Sequence, residues 1–257
     1  MFVNQVFLKK MQKYSPSSPL DLFQSITLFW SFFAPCYHLI KKQLATLVLL
    51  FFFIAVGWLT ADVLGLSEKL LSKISETYGE AAKDRLLNWQ AVVLYDGLEL
   101  NEKEKLEVVN TFFNQNARFV NDIDHWKTED YWATPVEFLS TNGGDCEDFS
   151  IAKYFTLKEM GVPVEKMRIM YVKAVELNQA HMVLTYYPTP DAEPVILDNL
   201  INEIKLASSR TDLVPVYSFN ADGLWVSKER GKGRRVGNSD RIKLWRDLGL
   251  RIKNQAN

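Results

Sequence analysis

The chain has 257 residues, 47% of them hydrophobic, enough to fill one substantial core, so a generally disordered chain is excluded. Charge is nearly balanced, 30 Lys and Arg against 31 Asp and Glu. Residues 1–61 hold five of those bases and one acid, leaving 25 basic and 30 acidic groups beyond them, a mildly acidic remainder that gives no electrostatic footprint for nucleic acid.

Taken in chain order, Lys41 and Lys42 precede an uncharged run of 19 residues from Gln43 to Ala61. Its length lies between a signal-peptide core of about 7–15 residues and a spanning helix of about 20. Ala55-Val56-Gly57 has the small-x-small character of a cleavage site, and the preceding lysines favour a cytoplasmic N-terminus. Residues 1–61 therefore read as a head with a signal peptide or membrane anchor, and the chain beyond residue 61 as exported. Of the two cysteines, Cys36 lies before this run and Cys146 after it, which argues against a structural disulfide and leaves one thiol on the far side.

Residues 62–118 read as a helical lobe. Leu86, Trp89 and Val93, then Leu106, Val109 and Phe113, recur at three- and four-residue spacing, and Asn101 with Glu104 resembles a capping box. Residues 119–227 read as the functional core. They open on an irregular aromatic stretch, residues 119–144, where Trp126 and Trp132 are candidates to line a cleft, ending in a tight turn at Asn142-Gly143-Gly144. A helix follows from Cys146 to Met160, stopped by Gly161. Met167–Val175, Met182–Tyr187 and Val195–Leu197 read as strands, and Leu213–Phe219 with Leu224–Val226 as a hairpin. Residues 228–257 form a basic tail, ten bases against three acids, expected to be a solvated, partly helical terminus or a contact with anionic lipid or an acidic partner. Helices, then a Cys-bearing helix, then an antiparallel sheet give an α+β class.

A thiol attacks as its thiolate, and the first turn of a helix, where Gly143-Gly144 delivers Cys146, favours that anion through unpaired N–H groups and the dipole. His181 opens a strand and Asp198 ends the next, so neighbouring antiparallel strands would bring imidazole and carboxylate together. The bland alternatives are a packed cysteine, a strand-end histidine and a turn aspartate. His125 reads as a surface or capping residue.

This ordered Cys, His, Asp set resembles the transglutaminase-like cysteine hydrolases, and within them the bacterial transglutaminase-like cysteine proteinases of the LapG type. The carrying residues are Trp132 to Leu139, the block Gly143-Gly144-Asp145-Cys146-Glu147-Asp148 with its helix, Ala180-His181-Met182 and Leu197-Asp198-Asn199. The resemblance implies a papain-like core with an N-terminal helical lobe and an antiparallel sheet. It implies Cys146 as nucleophile, His181 as general base and acid, and Asp198 as orienting carboxylate. It also implies a periplasmic endopeptidase that cuts a large surface adhesin at a paired-alanine site to release biofilm cells, sequestered by an inner-membrane cyclic di-GMP receptor. Calcium held by Asp145 and Glu147 belongs to the same implication. Calcium takes about 6–8 oxygens, so further ligands must come from elsewhere. Asp145 has a second reading as N-cap, with Asp148 at N3. Carboxylates beside the thiol raise its pKa, a repulsion that a cation would relieve. The competing functions are acyl transfer to an amine, as in a transglutaminase, and a catalytically silent envelope binding module.

Overall fold

The computed structural model describes residues 66–227 and 233–255. The apolar run 43–61, Cys36 and His38 lie outside the described residues. Two units divide the chain, Met1–Leu59 and Thr60–Asn257, and every described residue belongs to the second. Among the described residues no helix is long and apolar enough to cross a membrane.

Three helices open the described part. α1 (Glu68–Tyr78) starts at Ser67, whose side chain accepts from the Leu70 N–H, and gives way at Gly79, φ +88°, to α2 (Glu80–Ala91). α2 runs on into a π-helical turn, Val92–Asp96, and buries Leu86, Trp89 and then Val93, the face read from the spacing. α3 (Glu102–Asn116) has the expected capping box at Asn101 and Glu104 and buries Leu106, Val109 and Phe113.

The approach to the cysteine, residues 119–144, is not irregular as the sequence suggested but built from short pieces that include two helices. β1 (Arg118–Phe119) and β2 (Gly143–Gly144) form a two-residue parallel bridge, with α4 (Asp122–His125) and α5 (Pro135–Thr141) between them. α5 carries a capping box of Thr134 and Glu137 and ends at Asn142 in the left-handed region, φ +58°. α6 (Cys146–Glu159) follows and closes before Gly161, φ +82°. Nine of its 14 residues are buried because α3 covers one side and the sheet the other.

The sheet has seven antiparallel strands: β3 (Met167–Ala174), β4 (Gln179–Tyr186), β5 (Val195–Leu197), β6 (Lys205–Leu206), β7 (Leu213–Phe219), β8 (Leu224–Ser227) and β9 (Gly233–Gly237). Their order is β6-β5-β4-β3-β7-β8-β9. The three strands and the hairpin read from sequence are all present, while the two-residue β6 and the arginine-bearing β9 add the edges. Charged or very short edge strands keep a sheet from pairing with another chain.

One hydrophobic cluster joins α1, α2, α3, α5, α6 and one sheet face, so the helical lobe and the sheet share a core; a smaller cluster, with Val172, Val183 and Ile196, covers the opposite face. The basic C-terminus is part of that larger core. Its helix α7 (Lys243–Gln255) buries Trp245 and Leu248, and Trp245 packs edge-on to Phe219 at 5.1 Å and stacks on Phe155 at 5.6 Å. Leu244, Trp245, Leu248 and Ile252 fall on one stripe of the helix, which is why a strongly basic segment still docks.

Candidate active site

Cys146 is the first residue of α6, delivered there by Gly143 and Gly144. Close approach rather than dihedral angle favours glycine at both positions, and far more strongly at Gly144. A Cβ on Gly143 would stand 3.1 Å from the Arg118 carbonyl oxygen, and one on Gly144 only 2.1 Å from Asp148 Oδ2. The partly buried thiol donates to Glu147 Oε2 at 3.0 Å and accepts from the Met182 main-chain N–H, so it lies against the residue next to His181. Burial first, then the charges of Glu147 and Asp145, push its pKa well above the ordinary thiol value.

His181 and Asp198 are both buried, 4% and 1% exposed, and form a pair in which imidazole Nε2 lies 2.8 Å from Asp198 Oδ1. An ionised aspartate only accepts, so Nε2 carries the proton and Nδ1 of the neutral ring is the free base. Oδ1 also accepts from the Leu200 N–H, and Oδ2 lies 2.7 Å from Arg210 Nη2. Burial alone would raise the Asp198 pKa; the hydrogen bond from His181 and the charge of its ring when protonated, the Leu200 amide and Arg210 outweigh it and hold it at about 2. Behind the pair, Asn114 donates to the Asp198 carbonyl at 2.8 Å, and the buried Lys153 donates to Asn110 at 2.8 Å. The Lys153 amine is pulled down to about 7 by burial, against the opposing charge of Asp198.

Cys146, His181, Asp145, Glu147 and Trp132 line one cleft of about 400 Å³. Trp132 stacks on Phe219 at 5.5 Å and forms a wall, whereas Trp126 packs on His125 and Tyr131 outside that lining. His125 is half-buried and spent on Thr141, its Nε2 2.8 Å from Oγ1, so it is neither a surface nor a capping residue.

Beside the cysteine lies an acidic cluster wider than the sequence indicated. Asp145 and Glu147 are joined by Asp122, Asp130 and Asp148, which form overlapping groups of three with donor atoms within 4.8 Å of one another. Asp145 occupies the N-cap position, yet its side chain makes no capping bond. Asp122 Oδ1, Asp145 Oδ1 and Asp148 Oδ2 are buried without a hydrogen-bond partner, and among the described residues none of the five carboxylates forms an ion pair with Lys or Arg. Burial, followed by mutual repulsion, lifts Asp122 to about 6 and Asp145 to about 10 and raises Asp130; burial lifts Asp148 well above its ordinary value. Crowded, dry, unpartnered carboxylate oxygens fit a hard divalent cation such as calcium. Asp122 and Asp130 carried no spacing signal, since a loop folded back on the cysteine brings them there, and Arg210 was likewise invisible as a neighbour of Asp198.

The family model described as bacterial transglutaminase-like cysteine proteinase BTLCP matches residues 94–231, slightly over half of the chain. The chain belongs to this family. Legionella pneumophila LapG is 44% identical, with a TM-score of 0.62 over 72% of this chain and 95% of that one. A calcium-bound structure of the same Legionella protein gives 44% identity and a TM-score of 0.61, covering 72% of this chain and 98% of that one. An EGTA-treated structure gives 44% and 0.61, over 71% and 97%. No curated protein matches the chain significantly. As a member of the proteinase family the protein is a cysteine protease, and its mixed helical and antiparallel architecture is the family's.

Proposed function

We propose that the protein is a periplasmic, calcium-dependent cysteine endopeptidase that cuts the N-terminal region of a large surface adhesin at a paired-alanine site and so releases biofilm cells. Cys146 is the nucleophile, His181 the general base and acid, and Asp198 the orienting carboxylate. The observation that carries the chemistry is the buried His181–Asp198 pair, joined through Nε2, lining the same cleft as a thiol at a helix start. In this mechanism Nδ1 takes the Cys146 proton and the thiolate adds to the scissile carbonyl. The unpaired N–H groups at the start of α6 are available to the oxyanion that forms. Protonated His181 then gives its proton to the leaving amine, and a water deprotonated by the same imidazole hydrolyses the thioester. Asp198 keeps the proton on Nε2 and stabilises the imidazolium.

Asp122, Asp130, Asp145, Glu147 and Asp148 would hold the calcium, whose charge offsets the carboxylate repulsion that otherwise opposes a thiolate at Cys146. Calcium-bound and EGTA-treated structures exist for the Legionella relative, which supports the choice of metal. The exported setting rests on the apolar run 43–61 and the lone downstream thiol. Sequestration by an inner-membrane cyclic di-GMP receptor is the regulation that the family resemblance suggests.

Incubation of wild type and Cys146→Ala with envelope extract, followed by sequencing of new N-termini, tests the reading. A fresh terminus in one large surface protein, seen with wild type and calcium and absent with Cys146→Ala, is expected. Incorporation of a labelled amine into a glutamine peptide without backbone cleavage would replace the protease with a transglutaminase.

A further inference from the structure

We infer that Arg251, on the C-terminal helix α7, is a positioning residue for the acidic cluster, gripping the Tyr131–Ala133 segment so that its main-chain donors hold the carboxylates ready for a divalent cation. The inference rests on the calcium reading of that cluster. Arg251 uses both terminal nitrogens of its guanidinium at this point. Nη1 lies 2.8 Å from Glu137 Oε2 and also donates to the Tyr131 hydroxyl, Nη2 donates to the Trp132 carbonyl, and the guanidinium sits 4.4 Å from the Tyr131 ring centre. Glu137 is itself fixed, because the same Oε2 accepts from the Thr134 N–H at 2.8 Å in the α5 capping box.

The gripped segment is the one that organises the carboxylates. Asp130 precedes it as a member of the cluster; the Tyr131 N–H donates to Asp122 Oδ2; the Ala133 N–H donates to Asp148 Oδ1 at 2.7 Å. One oxygen of Asp122 and one of Asp148 are thereby tied down, and their other oxygens, Oδ1 and Oδ2, are left buried and unpartnered beside Asp145. A loop that must keep like charges crowded before any cation arrives tends to relax outward. Arg251 opposes that relaxation from outside the cluster, at a distance where its own charge pairs with Glu137. A lysine is a single point charge and could not hold the carboxylate and the carbonyl together with the same geometry.

Calorimetric titration of calcium into the chelator-stripped full chain tests this. Partners one shell removed from a metal site alter affinity by about 10–100-fold, and Arg251→Met is expected to weaken calcium within that range, with Arg251→Lys in between. Arg246→Met, on the same helix with its charge toward Asp247, is expected to bind as wild type. The calcium-induced rise in melting temperature should shrink in Arg251→Met and not in Arg246→Met. Wild-type affinity in Arg251→Met overturns the inference even if the variant melts earlier in chelator, since a mere anchor would do that. Should Arg251→Met not fold, Glu137→Gln decides: it can still cap α5 but loses the charge that holds the guanidinium, so unweakened binding again overturns the inference. Wild type that takes up no calcium at all removes the calcium reading itself, and this inference with it.

Discussion

Asp198 is the residue on which the site's polar order converges, because its two oxygens serve His181, the Leu200 amide and Arg210 inside the protein. Asp198→Asn should lower kcat/KM roughly 10⁴-fold by allowing the wrong imidazole tautomer, measured on a peptide spanning the cut site. Arg210→Met leaves a buried carboxylate short of a partner and should cost about 3–5 kcal/mol in urea unfolding. The sign of the pH effect follows from a folded pKa of about 2 against an ordinary 3.8. The stabilisation by Asp198 is complete above the ordinary value and is lost as pH falls toward 2. The stability gap between wild type and Asp198→Asn should therefore be widest near neutrality and close in acid. Gly144→Ala addresses the neighbouring cluster. Its methyl would meet Asp148 Oδ2, so a loss of about 1–3 kcal/mol is expected together with weaker calcium binding, read by thermal melts and titration.

The start of α6 brings two opposed influences to one sulfur. Its free N–H groups and dipole favour the thiolate, whereas Asp145 and Glu147 disfavour it. Chelation should therefore reduce the rate of Cys146 alkylation by iodoacetamide, and added calcium should restore it. Protons compete for the same oxygens. With Asp122 lifted to about 6 and Asp145 to about 10, apparent calcium affinity should fall steadily as pH drops from 8 to about 5, as titrations at each pH would record. Without the cation, carboxylates whose folded pKa is raised destabilise the fold as pH rises above their ordinary range, so the melting temperature in chelator should decline between about pH 5 and 8. A flat melting profile in chelator would refute that crowding.

Across the molecule, a shared core makes the helices, the sheet and the C-terminal helix interdependent. Trp245 shows this best, since it touches Phe219 of the sheet and Phe155 of α6 at once. Trp245→Ala should cost about 3–5 kcal/mol and should unfold the whole unit in a single transition, measured by denaturant melts followed at more than one probe. Two separate transitions would mean that lobe and sheet fold independently.

Patterns local in the chain determined a great deal. Apolar periodicity located α2 and α3, and the Asn101 start and the glycine stop after α6 are written in a few neighbouring residues. Strand signals put His181 and Asp198 on adjacent antiparallel strands, although His181 lies inside β4 rather than at its start and the α5 helix was not read at all. Such features are legible because backbone hydrogen bonding and amphipathic burial act over short separations. The tertiary structure alone decided what depends on distant segments meeting. Asp122 and Asp130 reach Asp145, Arg210 reaches Asp198, and Arg251 reaches Tyr131 across 120 positions of sequence. Nothing in the spacing of these residues encodes their meeting, because charge acts through space and only the folded core, closed by a basic helix that sequence composition assigned to solvent, sets the distances.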